Sequence, residues 1–306
     1  SYLFASVLKN IPCKVGQHAI TIMDEFPSDY FAIKRWCDKH HTKLKIIRPK
    51  NDKKRWGKHW NKKILESINT HTSVVILSSV HWMSGLKFDL KKIGERCRQV
   101  GAAFIVDGTQ SVGAIPMDVE KYNIDALVCA GYKWLFGPYS LCLAYIGLRF
   151  HNGIPIEESW MNRTNAHDFS NLTTYEDAYF PHAGRFNVGQ TSNFILMPMI
   201  RTALEQIQDW GVENIQNYAA TLLQPLKAYL TEIDVVLEKD AYMSDHLFGL
   251  KLPDSINAEL LKENFSKNNI IVSVRGNYLR VAINVFNSKD DIQALIDAIE
   301  ETRKTS

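Results

Sequence analysis

The sequence predicts an α/β protein: a mostly parallel open sheet sandwiched by helices, followed by a smaller α+β unit. Three observations carry this. Short apolar runs recur through the first half, and each is continuous rather than alternating, as strands covered on both faces require. Segments with helical spacing separate them, the order expected of a parallel sheet. After Leu196 the pattern changes to long helical stretches and then to a mixture of short strands and helices.

The elements follow in order. A helix opens the chain at SYLFASVLKN. Strands are expected at HAITIMDEF (18–26), LKIIRP (44–49), SVVILSSV (73–80), AAFIVDG (102–108), ALVCAGY (126–132) and LCLAYIG (141–147). DYFAIKRWCDKHH (29–41) and DLKKIGERCRQVG (89–101) carry helical spacing, the second with a glycine at its end. Regularity lapses from Gly153 to Asn193. Helices then run from Leu196 to about Leu230, and LFGLKLP, IIVSVRG and YLRVAINVF read as strands among the helices AELLKENFSKN and DDIQALIDAIEETRK. Two domains are expected, a large one over 1–200 and a linking helix with a small α+β domain over 201–306.

A chain of 306 residues exceeds what one minimal core needs. Apolar residues make up 45% and charged residues 23%, ordinary for a globular protein in water, and the net charge of +3 argues for neither nucleic acid nor membrane. The basic run PKNDKKRWGKHWNKK (49–63) carries no nucleic-acid motif and reads as a solvated loop and helix face. No apolar run reaches the roughly 18 residues of a membrane span. The five cysteines are scattered without metal-ligand spacing, so no metal is expected, and a reducing, cytoplasmic setting fits them. Cys129 and Cys142 sit in apolar strand runs, where a thiol serves as a small buried hydrophobe.

Two strand ends are unusual. FIVDGTQSVGA (104–114) delivers a carboxylate, Asp107, and CAGYKWLFGP (129–138) delivers an amine, Lys133. Ligands of open α/β sheets gather at the carboxyl ends of the strands, which is where both fall. Taken singly, either residue fits a salt bridge between neighbouring strands.

Together the motifs D-G-T-Q-S-x-G-A and G-Y-K-W-L-x-G-P resemble the class V aminotransferase family, fold-type I enzymes dependent on pyridoxal 5′-phosphate that include cysteine desulfurases and isopenicillin-epimerase-like proteins. The resemblance runs over nearly the whole chain. It implies that Lys133 forms the Schiff base with the cofactor aldehyde, that Asp107 keeps the pyridine nitrogen protonated, and that Gln110 bonds the ring's phenolic oxygen. Phe26 aligns with the residue that stacks on the ring, where desulfurases have a histidine. A plain core aromatic is the alternative. Tyr132 fits a phosphate-site position. RFNVGQTSN (185–193) resembles a segment that reaches the phosphate of the neighbouring subunit's cofactor, implying Gly189 and Gln190 as contacts and a homodimer with shared active sites. Gln190 stands where the family has threonine. Arg280 falls on the position that grips the substrate α-carboxylate. Arg275 is either a substrate contact or a surface strand residue, and His81 either lines the pocket or caps a strand. The family has a phosphate loop and an earlier segment before the first helix, so Ser1 is expected to be the last residue of that loop.

The implied reaction is that of an aminotransferase acting on an amino acid. A cysteine desulfurase, lyase or epimerase of the same family is the alternative, and a non-catalytic relative keeping the fold is a third. Desulfurases place a cysteine on a loop between the two arginine segments, and here that interval is only GNYL, Gly276 to Leu279.

Overall fold

The computed structural model describes all residues except 51–54, 192, 252, 254–255, 276–277 and 306; of Val274, Arg275 and Tyr278 it describes the backbone. Helix α1 (Tyr2–Lys9) leads into strand β1 (His18–Ile22), helix α2 (Pro27–Lys39), β2 (Lys43–Ile47), α3 (Gly57–Ser67), β3 (Thr72–Ser78), α4 (Leu90–Val100), β4 (Ala103–Asp107), β5 (Ala126–Ala130) and β6 (Cys142–Ile146). These six strands form one sheet in the order β2-β1-β3-β4-β5-β6. All neighbours are parallel except β5 and β6. The exception is dictated by the connection: residues 131–141 are too few for a crossover, so the chain returns antiparallel.

Continuous apolar strands feed two cores at once. Val75, Leu77, Phe104 and Val106 pack with Trp60 and Ile64 of α3 and Ile93 of α4 on one face. Val74, Ile76, Ala103 and Ile105 pack with Val7 of α1 and Ile33 and Trp36 of α2 on the other. Successive side chains of a strand alternate between faces, so two covered faces demand apolar residues at every position. The rule fails at both edges. β2 exposes Lys43 and Lys45, which discourage pairing with another chain. β6 exposes Cys142, Leu143 and Tyr145, so the expectation of a buried Cys142 is corrected: an outer strand has one flank uncovered, and of the two strand cysteines Cys129 alone is buried.

Expected helix ends are present. Asp89 caps α4, accepting from the Lys92 N–H at 3.2 Å, and Gly101 ends it at φ 77. In the basic run α3 exposes Lys58, Lys62 and Lys63 while burying Trp60 and Ile64; residues 51–54 lie outside the described ones.

Short 3₁₀ turns occupy the irregular stretch before α5 (Leu196–Trp210) and α6 (Val212–Glu232). Strands β7 (Leu247–Leu250), β8 (Ser273–Arg275) and β9 (Tyr278–Ala282) make an antiparallel sheet in the order β7-β9-β8, with α7 (Ala258–Lys267) and α8 (Lys289–Thr305). Their core joins Leu222, Leu226 and Leu230 of α6 to Phe248, Val281, Leu295 and Ile299. Residues 200 and 201, the expected boundary, fall inside α5, and Ile207 of that helix packs with Cys129 and Leu135 beside the large sheet.

The second sheet is laced to the first. Bridges join Leu86 to Met243, the Ser244 N–H donates to the Gly85 carbonyl at 3.0 Å, and the Gly249 N–H to Ser84 at 3.0 Å. Gly85 makes the crossing possible. Its φ is +68, and a Cβ there would lie 1.9 Å from the Leu247 carbonyl oxygen. Gly101 has a similar φ but open space around it. Gly85→Ala should therefore lower the unfolding free energy by on the order of 3 kcal/mol, and Gly101→Ala by only about 1 kcal/mol. Equal urea midpoints for the two variants would refute the close approach.

Candidate active site

The sheet order reverses between β1, flanked by β2, and β3, which leads on to β4 and β5. That is the switch point at which open α/β sheets bind ligands. A cavity of about 410 Å³ opens there, and Phe26, Asp107, Gln110, Tyr132 and Lys133 all line it. His81, Gly189, Gln190 and Arg280 do not.

Phe26 stands just before α2, with Pro27 at the first helical position. Glu25, buried beside it, binds the end of β1 to the end of β3. One carboxylate oxygen accepts from the Phe26 N–H at 2.8 Å and from the Ser78 hydroxyl, and the other from the Ser78 N–H at 2.7 Å. The Phe26 ring meets Trp82 edge-on at 5.7 Å, and the Trp82 indole donates to the Asp24 carbonyl at 2.7 Å. An aromatic wall is thereby fixed by backbone contacts.

Asp107 ends β4 and is 6% exposed. Its Oδ1 accepts from the Thr109 N–H at 2.8 Å, and the residue lines the cavity. Lys133 sits on the tight connection after β5, closed by the Gly137 N–H donating to the Gly131 carbonyl at 2.8 Å. Its Nζ lies 5.5 Å from the Phe26 ring centre and 5.9 Å from that of Tyr132, which stacks on Tyr139 at 4.2 Å. Gln110 accepts from the Trp134 indole at 3.0 Å.

The second sheet contributes Arg280 on β9. Its Nη1 donates to the Trp82 carbonyl at 3.0 Å and its Nε to Ser273 at 3.2 Å, so the guanidinium stands behind the cavity wall. Arg275 lies on β8, and its side chain is outside the described residues.

Three expected contacts change. His81 is buried away from the cavity: Nε2 donates to the Asp24 carbonyl at 3.2 Å, Nδ1 faces Ser84 at 2.9 Å, and the ring packs on Trp60. Burial pushes its pKa down to about 4, so the ring is neutral where it ties the strand end to the Asp24 carbonyl and Ser84. The Gly189 N–H is donated within its own chain, to Glu157 at 2.5 Å. Gln190 is exposed at φ 63. Asn193, in the same segment, accepts from the Leu196 N–H at 2.9 Å and caps α5.

Asp29 was not legible as a site residue. In MDEFPSDY an acid in the first turn of a helix reads as an ordinary favourable charge at the dipole's positive end. Yet Asp29 is 1% exposed, lines the cavity, and has a buried Oδ2 without a hydrogen-bond partner. Burial, then the neighbouring Asp107 and Glu25, hold its pKa well above the usual carboxylate range. Burial likewise pushes Glu25 up to about 7. The folded protein therefore keeps a proton on Glu25 that the unfolded chain releases, and the associated stability is lost as pH rises through about 7. Glu25→Gln removes this titration. Between about pH 5 and pH 8 its stability should improve relative to the parent by roughly 1–3 kcal/mol, measured as urea midpoints; a pH-independent difference would contradict the buried acid.

Comparison with known proteins places this geometry. The family description "Aminotransferase class-V" matches residues 2–295. YcbU, an uncharacterised aminotransferase of Bacillus subtilis (strain 168), is 27% identical over 242 residues, covering 77% of this chain and 62% of that protein. A kynureninase of Bacillus cereus is 26% identical over 197 residues, covering 62% of this chain and 44% of the relative. The chain thus spans less than two thirds of either relative. Among solved structures, a C-DES variant with glycine covalently linked to its PLP cofactor superposes with a TM-score of 0.84 at 18% identity, covering 98% of this chain and 78% of that one. A cysteine desulfurase from Thermococcus onnurineus NA1 gives 0.78 at 18% identity, covering 100% and 76%. These likenesses show the shared fold, that of fold-type I pyridoxal enzymes. With the family matched from residue 2 to residue 295, the chain belongs to the class V aminotransferases.

Proposed function

We propose that this chain is a pyridoxal 5′-phosphate-dependent enzyme that transaminates an amino acid. One observation carries the reading: the Lys133 amine and the buried Asp107 carboxylate line one cavity, with the face of Phe26 beside them. The residues present fit a planar pyridine ring. A flat aromatic wall suits its face, and a buried carboxylate suits a protonated ring nitrogen.

Bound there, the cofactor supplies an electron sink for negative charge developing at the substrate α-carbon. Asp107 keeps the ring nitrogen protonated. Lys133 would hold the cofactor and would move a proton at the substrate α-carbon. Phe26 covers the ring without exchanging protons, since a phenyl group has none to give. Gln110 donates to the phenolic oxygen. Arg280, which donates to the Trp82 carbonyl behind the cavity wall, would take the substrate carboxylate once that contact opens, and Arg275 and Tyr132 would be neighbouring contacts for substrate and phosphate.

A second copy of the chain completes this reading. Tyr139 and Leu143, near and on β6, and Phe194, Ile195 and Met199, at the start of α5, are exposed apolar side chains that a homodimer would cover. Gly189 and Gln190 would meet the partner's phosphate only after the Gly189 N–H leaves Glu157. Five free cysteines fit a reducing cytoplasm.

One observation favours a second reading, sulfur transfer: the Cys142 thiol lines the same cavity. Although its residue is exposed on the edge strand, the thiol is partly desolvated where it faces the cavity, which raises its pKa and keeps it a weak nucleophile, so transamination is preferred.

Three outcomes test the proposal. Borohydride reduction after adding pyridoxal 5′-phosphate should fix a pyridoxyl group on the Lys133 peptide; labelling confined to other lysines would remove Lys133 from the mechanism. Asp107→Ala should retain cofactor but slow turnover by at least about a hundredfold, roughly 2.7 kcal/mol of barrier, because the ring no longer holds its proton. An amino donor should bleach the visible band of bound cofactor and an α-keto acid restore it, with Arg280→Lys raising KM. Alanine release from cysteine that is abolished by Cys142→Ser would favour sulfur transfer instead.

A further inference from the structure

The structure assigns Trp134 and His246 as positioning residues that lock the amide of Gln110 into a single orientation, so that it offers the cavity only donors. The inference rests on the cofactor reading above and adds to it the device that sets the charge state at the ring oxygen.

An unrestrained glutamine is ambivalent. Its terminal torsion is broad and roughly two-fold, so either the oxygen or the amino group can face a ligand. Here the choice is removed. The Trp134 indole N–H lies 3.0 Å from the Gln110 Oε1, and an indole nitrogen can only donate. The atom it meets must be the oxygen. With that acceptor engaged, the end of the amide left to act on a ligand in the cavity is the Nε2 donor pair.

Trp134 is itself held. It is buried in a cluster with Val80, Ala114 and Leu247, and it meets the His246 ring edge-on at 4.4 Å and 86°. His246 fixes the other side of the same residue: its Nε2 lies 2.7 Å from the Gln110 backbone carbonyl. A carbonyl only accepts, so Nε2 carries the proton. Burial pushes the His246 pKa down to about 4, and one tautomer of the neutral ring meets that requirement at neutral pH. Gln110 is thus gripped at its backbone by a residue leading into β7 and at its side chain by the residue next to Lys133.

A locked donor discriminates. It stabilises a ring oxygen in proportion to the negative charge that oxygen carries. That charge is most exposed after the proton shared with the neighbouring nitrogen has left. The lock therefore lowers the pH at which the bound cofactor changes its visible absorbance. Loss of the indole N–H lets the amide turn, and the transition should move upward.

The test is a pH titration of the visible band in the parent, Trp134→Phe, Gln110→Ala and the double variant. Trp134→Phe should raise the midpoint by about half a unit to one unit, the scale of one hydrogen bond, and weaken cofactor binding about three- to tenfold. Gln110→Ala should shift it the same way. In the Gln110→Ala background, Trp134→Phe should produce no further shift, because its effect passes through the amide. Should the phenyl variant fold poorly, 3-benzothienylalanine at position 134 keeps the indole shape and removes only the N–H. An unchanged midpoint in the isostere overturns the assignment, as does a Trp134→Phe shift of equal size in both backgrounds. Absence of any visible band in the parent would instead defeat the cofactor reading, and this inference with it.

Discussion

A carboxylate kept in the protein interior is the constraint around which the site is arranged. Asp107 closes the central strand β4 with one oxygen held by the Thr109 N–H, and two further acids, Glu25 and Asp29, stand within its electrostatic reach. Three buried negative charges would be prohibitive together. The protein resolves this by protonating some of them: burial and mutual repulsion raise Glu25 and Asp29. The result is an acidic floor that holds protons, facing an amine at the rim.

How much of this was legible in the sequence depends on the range of the interaction. The strands were readable because each sheet face is covered, which makes apolar runs continuous from Val74 to Leu77 and from Ala103 to Val106. Asp107 and Lys133 were readable because a charge at the end of such a run breaks a local pattern. His81 stayed open between two readings for the converse reason. A histidine near a strand end has the right chemistry for a pocket, and only the three-dimensional positions of Asp24, Ser84 and Trp60 show that its ring is committed elsewhere. The exposed thiol of Cys142 was hidden by strand order, since an edge strand and a central one have the same composition over five residues. Asp29 was missed because its significance lies in burial, which an acid near a helix start does not announce.

The second sheet is tied to the first through the cavity's own walls. Arg280 reaches the Trp82 carbonyl, His246 reaches the Gln110 carbonyl, and the crossing at Gly85 leaves no room for a side chain. A movement of β9 would therefore carry Arg280 with it and disturb the aromatic wall made by Trp82 and Phe26. On the proposed function, substrate recognition by Arg280 and placement of the ring would share these contacts, so a change made to alter one is expected to disturb the other.

The same reasoning applies to the lysine. Its connection after β5 is shaped by Gly131 and Gly137, where an added Cβ would meet Ile200 of α5 at 3.0 Å in each case. Helix α5 follows directly on the segment that holds Gly189, Gln190 and the Asn193 cap. The apolar residues Phe194, Ile195 and Met199 are exposed at its start. Whatever covers that apolar surface therefore bears, through one isoleucine, on the turn that presents Lys133. On the proposed dimeric reading, a second copy covering the first turn of α5 would act on the same helix whose Ile200 stands beside the turn that presents Lys133.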